Sequence, residues 1–220
     1  MTLPGFSSAT LKVRAADLRR RCPQLSRFAF TGVFLAVMIA ANLAAIRLLP
    51  GGQTEAALKF GISLEALLEG EIWRLVTASL LTHDVPMFLR QVAFAALAIG
   101  LFEWRNGTRR AAATFWGIDI LGTVLLFALV IGPYDLLMAD PESAMRQVYD
   151  VGISGGAFGI LGALTRDFSG RHWVIVTALG LTAIVTKLVL WPEPIADLLH
   201  LITFALGAMI PAARRKLTDS

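Results

Sequence analysis

The chain contains one cysteine and three histidines in 220 residues, and only 16% of it is charged. The lone cysteine, Cys22, excludes an intramolecular disulfide and any cysteine-based metal site. The charged fraction is well below the ~25% usual in a soluble domain. No cluster of Asp, Glu and His has metal-site spacing, so neither a metal nor another cofactor is expected. The net charge is +4, but the basic residues collect at particular chain positions. That distribution is a topology signal rather than a nucleic-acid-binding surface.

Apolar material is abundant instead: 56% of the chain is hydrophobic. It comes in runs of about 20 residues, the length that crosses a bilayer. These features predict an all-α polytopic membrane protein with one membrane domain at 28–212. A basic cytoplasmic N-terminal segment at 1–27 and a basic cytoplasmic tail at 213–220 flank it. The stretch "LKVRAADLRRR" suits a solvated tail better than an amphipathic helix on an anionic membrane surface. The long basic region and the spanning-length run after it argue against a cleaved signal peptide.

Six spans are expected, near 28–49, 86–104, 111–132, 152–167, 172–191 and 195–212. Residues 51–85 are apolar yet too interrupted to cross and read as short interfacial helices. A second long loop, "GPYDLLMADPESAMRQVYD", separates spans three and four. Arg105, Arg109, Arg110, Arg166, Arg171, Arg214, Arg215 and Lys216 fall on the same side as the basic N-terminus. Asp135, Asp140, Glu142, Asp150, Glu193 and Asp197 fall in the opposite loops. The positive-inside rule then puts both termini in the cytoplasm. Trp104 and Trp173 sit near the inner interface, and Trp73 and Trp191 near the outer one.

The stretch "DVGISGGAFGILGAL" places Ser154 at the outer start of span four. A serine at a helix N-terminus has unpaired backbone N–H groups around it and a favourable dipole for a developing oxyanion. It also needs a base to take its proton. Gly152, Gly155 and Gly156 would let a peptide backbone approach, whereas Gly155, Gly159 and Gly162 equally suit close helix packing. His200 lies about one and a half turns into span six, at similar depth. An ionisable residue there is a candidate functional group, able to act as base to Ser154. Asp119 lies within span three with no partner evident in the sequence, and a structural role is expected for it. Lys187 and Arg90 lie near outer helix ends, where both can snorkel. A transporter or channel would rest on these three residues, but no internal repeat or pair of broken helices accompanies them.

Over roughly residues 70–210 the chain resembles the rhomboid intramembrane serine proteases. The resemblance is carried by Trp73-Arg74, by Glu103 in "EWRNG", by Gly152-Ile153-Ser154-Gly155, and by His200 followed by Thr203 and Gly207. It implies a bundle of six transmembrane helices and a Ser154–His200 dyad with no third carboxylate. It further implies that Phe158 packs on the catalytic histidine and that the substrates are transmembrane proteins. Relatives often carry a His-x-x-x-x-His-x-x-x-Asn motif, whose last two residues help bind the oxyanion. Aligned without gaps from Trp73, those three positions are Thr82, Met87 and Gln91; a one-residue shift gives His83, Phe88 and Val92. The second histidine is missing in either register, and in the first Gln91 keeps an amide donor. Thr203 in place of a glycine is expected to loosen the packing of spans four and six slightly. The expected function is hydrolysis of peptide bonds in or near transmembrane segments, with Gln91, Gly152, Gly155 and Phe158 around the dyad. The alternative is a weak or inactive relative that binds membrane-protein clients. A bacterial inner membrane is the expected location.

Overall fold

A computed structural model describes residues 25–138 and 148–211 of the chain. The expected tail at 213–220, nearly all of the N-terminal segment and the middle of the loop before Ser154 lie outside the described residues.

The ordered elements of the described residues are helices joined by turns and short loops, with an isolated antiparallel bridge between Ile62 and Asp150. Helix α1 is Ala29–Leu48. Three short helices follow: α2 (Gly52–Phe60), α3 (Leu64–Leu68) and α4 (Arg74–Thr77). Helix α5 is Val85–Asn106, and α6 is Thr108–Leu126. A π-helical turn, Phe127–Ile131, carries α6 into α7 (Gly132–Met138). The remaining helices are α8 (Ser154–Leu164), α9 (Gly170–Leu190) and α10 (Pro194–Met209).

The ends follow local chemistry. Asp84 caps α5 by accepting from Met87 N at 2.6 Å, and a proline occupies the first turn. Gly107, at φ +83°, ends α5 and allows the reversal into α6. Glu103 then ties three helices together. Its carboxylate accepts from Phe30 N (2.8 Å), Thr31 N (2.8 Å), Thr31 Oγ1 (2.7 Å) and Thr108 Oγ1 (2.7 Å). It thereby satisfies orphan N–H groups at the start of α1 with a charge that suits the helix dipole.

Four helices are long and apolar enough to cross a membrane: α1, α5, Thr108–Leu137 and α9. The other two expected spans are helical but short. Helix α8 has 11 residues and α10 has 16. At 1.5 Å per residue they reach only about 16 Å and 24 Å, against ~30 Å of hydrocarbon. The third expected span, in contrast, runs past residue 132, because the π turn accommodates an extra residue without breaking the helix.

Helix α8 sits at the centre, packed against α5, α6 and α10. Its glycines make this possible. A Cβ on Gly162 would overlap Phe204 O, and one on Gly207 of α10 would overlap Gly159 O. Backbones therefore touch directly, as a small-residue seam allows. Thr203 does not loosen this seam in the expected way. Its methyl group fills the space left by Gly122 on α6, and its hydroxyl bonds back to Leu199 O at 2.8 Å. The core beside α8 holds Phe34, Met38, Ile99, Phe115 and Ile160, all nearly inaccessible. Helix α9 is the exception: Ile184 is its one buried residue.

The expected short helices at 51–85 form one body with the start of α5. Asn42, Gln53 and Thr82 share a buried hydrogen-bond network, with Gln53 Nε2 donating to Thr82 Oγ1 at 2.7 Å and to Asn42 Oδ1 at 3.0 Å. Arg74 donates to Leu58 O and Gly61 O, both at 3.0 Å, and pairs with Glu71. Against this body lies the extended segment before Ser154. Ile62 and Asp150 exchange backbone hydrogen bonds, and Gly152 N donates to Ala78 O at 2.9 Å.

Candidate active site

Ser154 is the first residue of α8, and the chain must turn sharply from extended to helical to deliver it there. Gly152 makes that turn at φ +121°, a conformation few L-residues adopt. A Cβ at this position would also overlap the Gln91 side-chain amide. Gln91 Oε1 accepts from Ile153 N at 3.0 Å, which fixes the amide orientation and leaves Nε2 as the donor. Gln91 and Ser154 line one cavity.

A second side chain holds the start of α8. Asp119 Oδ1 accepts from Gly156 N at 2.7 Å, and Asp119 Oδ2 accepts from Ser79 Oγ at 2.5 Å. Asp119 therefore has the partners that the sequence did not show. Its carboxylate caps the helix of Ser154 from α6 and links it to the turn after α4. Among the described residues, no hydrogen-bond acceptor takes the N–H of Ser154 or Gly155.

His200 enters from α10. Its imidazole stacks on Phe158, with ring centroids 4.1 Å apart and planes at 22°. Its Nε2 is buried and makes no hydrogen bond. Its Nδ1 lies 3.8 Å from Oδ1 of Asp197, three residues earlier on the same helix. Lys187 of α9 lies 2.8 Å from the same carboxylate oxygen and 2.5 Å from Glu193 Oε2.

The cavity lined by Ser154, Gln91 and His200 has a volume of about 480 Å³. Met87, Arg90, His83, Tyr149, Asp150 and Glu193 complete much of its wall. A smaller apolar cavity, about 310 Å³, reaches His200 and Phe158 from the α9 side, past Gly180 and Ile184. Ser154 Oγ and His200 share no hydrogen bond in this structure. The chemistry available is a hydroxyl, an unbonded imidazole nitrogen and nearby N–H donors, in a recess with both polar and apolar walls. Burial pushes the Asp150 carboxyl up to about 6, against the lowering effect of the Val151 N–H.

Most of the expected site residues come together: Ser154, His200 and Gln91 on the cavity, Gly152 under Gln91, and Phe158 behind the imidazole. Gly155 does not line the cavity. Its Cα faces Asp119 Oδ1 and Leu199, so its lack of a side chain serves packing rather than substrate approach. The two possible registers also separate. Met87 and Gln91 line the cavity, whereas Phe88 and Val92 pack against the core. Thr82 is inaccessible within the Asn42 network, and its neighbour His83 is the histidine on the cavity wall.

The sequence reading missed the part played by Asp197 and Ser79, and it expected a structural role for Asp119 without naming its partner. Asp197 was expected in an outer loop, yet it is fully buried within α10. Its i, i+3 spacing from His200 was the available signal. Asp119 and Ser79 are 40 residues apart, and no sequence pattern announces their contact.

No group of three metal-binding side chains occurs among the described residues. No family model matches the chain, and no curated protein matches it.

Proposed function

We propose that this chain is a membrane-embedded serine endopeptidase of the rhomboid type, cutting peptide bonds in or near transmembrane segments. The observation that carries this reading is that Ser154 and His200, from separate helices, line one cavity of about 480 Å³. Peptide hydrolysis needs water where lipid excludes it, and a recess with polar walls beside the serine meets that need. The short α8 supports the same picture, since a helix of about 16 Å starts well below one membrane surface if its other end lies near the opposite one.

In the proposed reaction, His200 Nε2 takes the Ser154 proton as Oγ attacks the scissile carbonyl. The developing oxyanion is met by the Ser154 N–H and by Gln91 Nε2, whose side chain lines the same cavity as Ser154. The imidazolium then protonates the leaving amine, and His200 next activates water to release the acyl group. Gly152 keeps the approach to Gln91 clear. The apolar cavity between α8, α9 and α10 suits a hydrophobic segment of the substrate. In this reading α8 and α10 complete a bundle of six membrane helices in a bacterial inner membrane, with both termini cytoplasmic.

One observation favours a second reading, a client-binding protein without strong activity: Met87 stands on the cavity wall where an oxyanion-binding histidine is usual in the family it resembles. Losing one oxyanion donor costs about 10²–10³ in rate, which slows an enzyme without abolishing it. The test is cleavage of a reporter transmembrane substrate in proteoliposomes. The proposal expects cleavage by wild type that Ser154→Ala and His200→Ala abolish. Equal cleavage by wild type and Ser154→Ala refutes it, and client binding untouched by both substitutions, without cleavage, supports the second reading.

A further inference from the structure

Asp197 is fully buried, and its two oxygens do different things. Oδ2 accepts from Glu193 N at 2.9 Å and so caps α10. Oδ1 makes no hydrogen bond of its own, yet it lies between Lys187 Nζ at 2.8 Å and His200 Nδ1 at 3.8 Å. The first distance is an ion pair; the second is too long for a hydrogen bond. Lys187 donates its hydrogen bond to the exposed Glu193 and is itself partly exposed, on the helix with least packing. Lys187 Nζ is thus shared between two carboxylates, Asp197 and Glu193.

From this geometry we infer that Asp197 is the positioning residue of His200 and that Lys187 competes with the imidazole for it. The inference rests on the hydrolase reading of Ser154 and His200. Asp197 favours the tautomer with its proton on Nδ1, which leaves Nε2 bare to accept the serine proton. The charged and titratable groups around the imidazole are Asp197 and Glu193 at the start of α10 and Lys187 from α9. Asp150, Arg90 and His83 stand on the cavity side. Ser154 and Phe158 of α8 carry no charge. Asp197 is thus the one inaccessible carboxylate in this set, and it stands on the Nδ1 side of the ring.

The bland alternative is that Asp197 only caps its helix. Asp197→Asn separates the two, because an asparagine side-chain oxygen still accepts from Glu193 N. The experiment uses the full chain in detergent and two readouts. One is the rate of labelling by a fluorophosphonate; the other is the histidine tautomer from ¹⁵N NMR in a Ser154→Ala background, with His200→Gln assigning the signal. The inference expects Asp197→Asn to label at least about tenfold more slowly, the direction seen when the orienting carboxylate of a soluble serine protease is lost. Lys187→Met is expected to label faster by roughly 1.5- to 5-fold, the worth of a part-exposed ion pair. The His200 signal is expected to report a proton on Nδ1 in the Ser154→Ala protein and to change with Asp197→Asn. Opposite rate effects from two partners of one ion pair are not what a helix cap produces.

Wild-type rates for Asp197→Asn with an unchanged tautomer overturn the inference while leaving the hydrolase reading intact. Equal or slower labelling by Lys187→Met overturns the competition. Absence of labelling in wild type removes the hydrolase reading instead. The tautomer then decides alone: a change with Asp197→Asn upholds the contact, and no change removes it.

Discussion

His200 lies nearly flat on Phe158, one helical turn after Ser154, with ring centroids 4.1 Å apart. The stack fixes the imidazole relative to the helix that bears Ser154. A stacked ring pair contributes about 0.5–1.5 kcal/mol beyond its buried area. Phe158→Ala should therefore slow Ser154 labelling by roughly 2- to 10-fold through loss of orientation, while Phe158→Tyr stays close to wild type. Labelling of the alanine variant at the wild-type rate would show that the stack does not orient the base.

Gly152→Ala should slow Ser154 labelling more than it lowers the melting temperature. The new Cβ meets an unfavourable φ and displaces the Gln91 amide, so both the turn before Ser154 and the proposed donor are disturbed. Gly207→Ala should do the reverse and lower the melting temperature, because its Cβ overlaps Gly159 O in the α8–α10 seam. Thermal unfolding beside labelling separates the two effects; equal melting temperatures for wild type and Gly207→Ala would refute the backbone contact.

Glu103 accepts four hydrogen bonds far from the cavity, at the opposite end of α5 from Gln91. Glu103→Ala leaves two backbone N–H groups of α1 without an acceptor. A loss of about 2–4 kcal/mol in stability is expected, with Glu103→Gln intermediate because one amide oxygen still accepts. Unfolding by denaturant in detergent measures this, and an alanine variant as stable as wild type would contradict it.

Asp150 sets a pH dependence outside the spans. Its carboxyl is raised to about 6 by burial, above the ~3.9 of an unfolded aspartate. Below the unfolded value both states hold the proton and the stabilising contribution is fully present. As pH rises through the folded value near 6, the partly desolvated group must ionise and the contribution is lost. The advantage of Asp150→Asn over wild type in melting temperature should accordingly be larger at about pH 8 than at about pH 4.5. An advantage independent of pH would contradict the desolvation of this carboxyl.

The apolar runs made α1, α5, α6 and α9 legible to within a few residues, because spanning length and composition are local properties. The short α8 was placed but overestimated at both ends. Its start is delayed by the bridge between Ile62 and Asp150, and its end is cut by a 3₁₀ turn at Thr165–Asp167. Such limits come from partners distant in sequence. The candidate site was legible where residue chemistry stood out, in Ser154 among glycines and His200 inside an apolar helix, and the two line one cavity. It was not legible where a contact crosses helices, as with Asp119 and Ser79. Asp197 lies between these cases: its spacing from His200 was visible, but its burial depends on how α10 packs.

The central claim is that Ser154 and His200 act as one unit, and labelling of the purified protein with a fluorophosphonate probe tests it most directly. Wild type, Ser154→Ala and His200→Ala would be run side by side, with the labelled peptide mapped by mass spectrometry. The account predicts modification of wild type at Ser154 and none in either variant. Folded wild-type protein that does not label, or labelling that persists in Ser154→Ala, would contradict it.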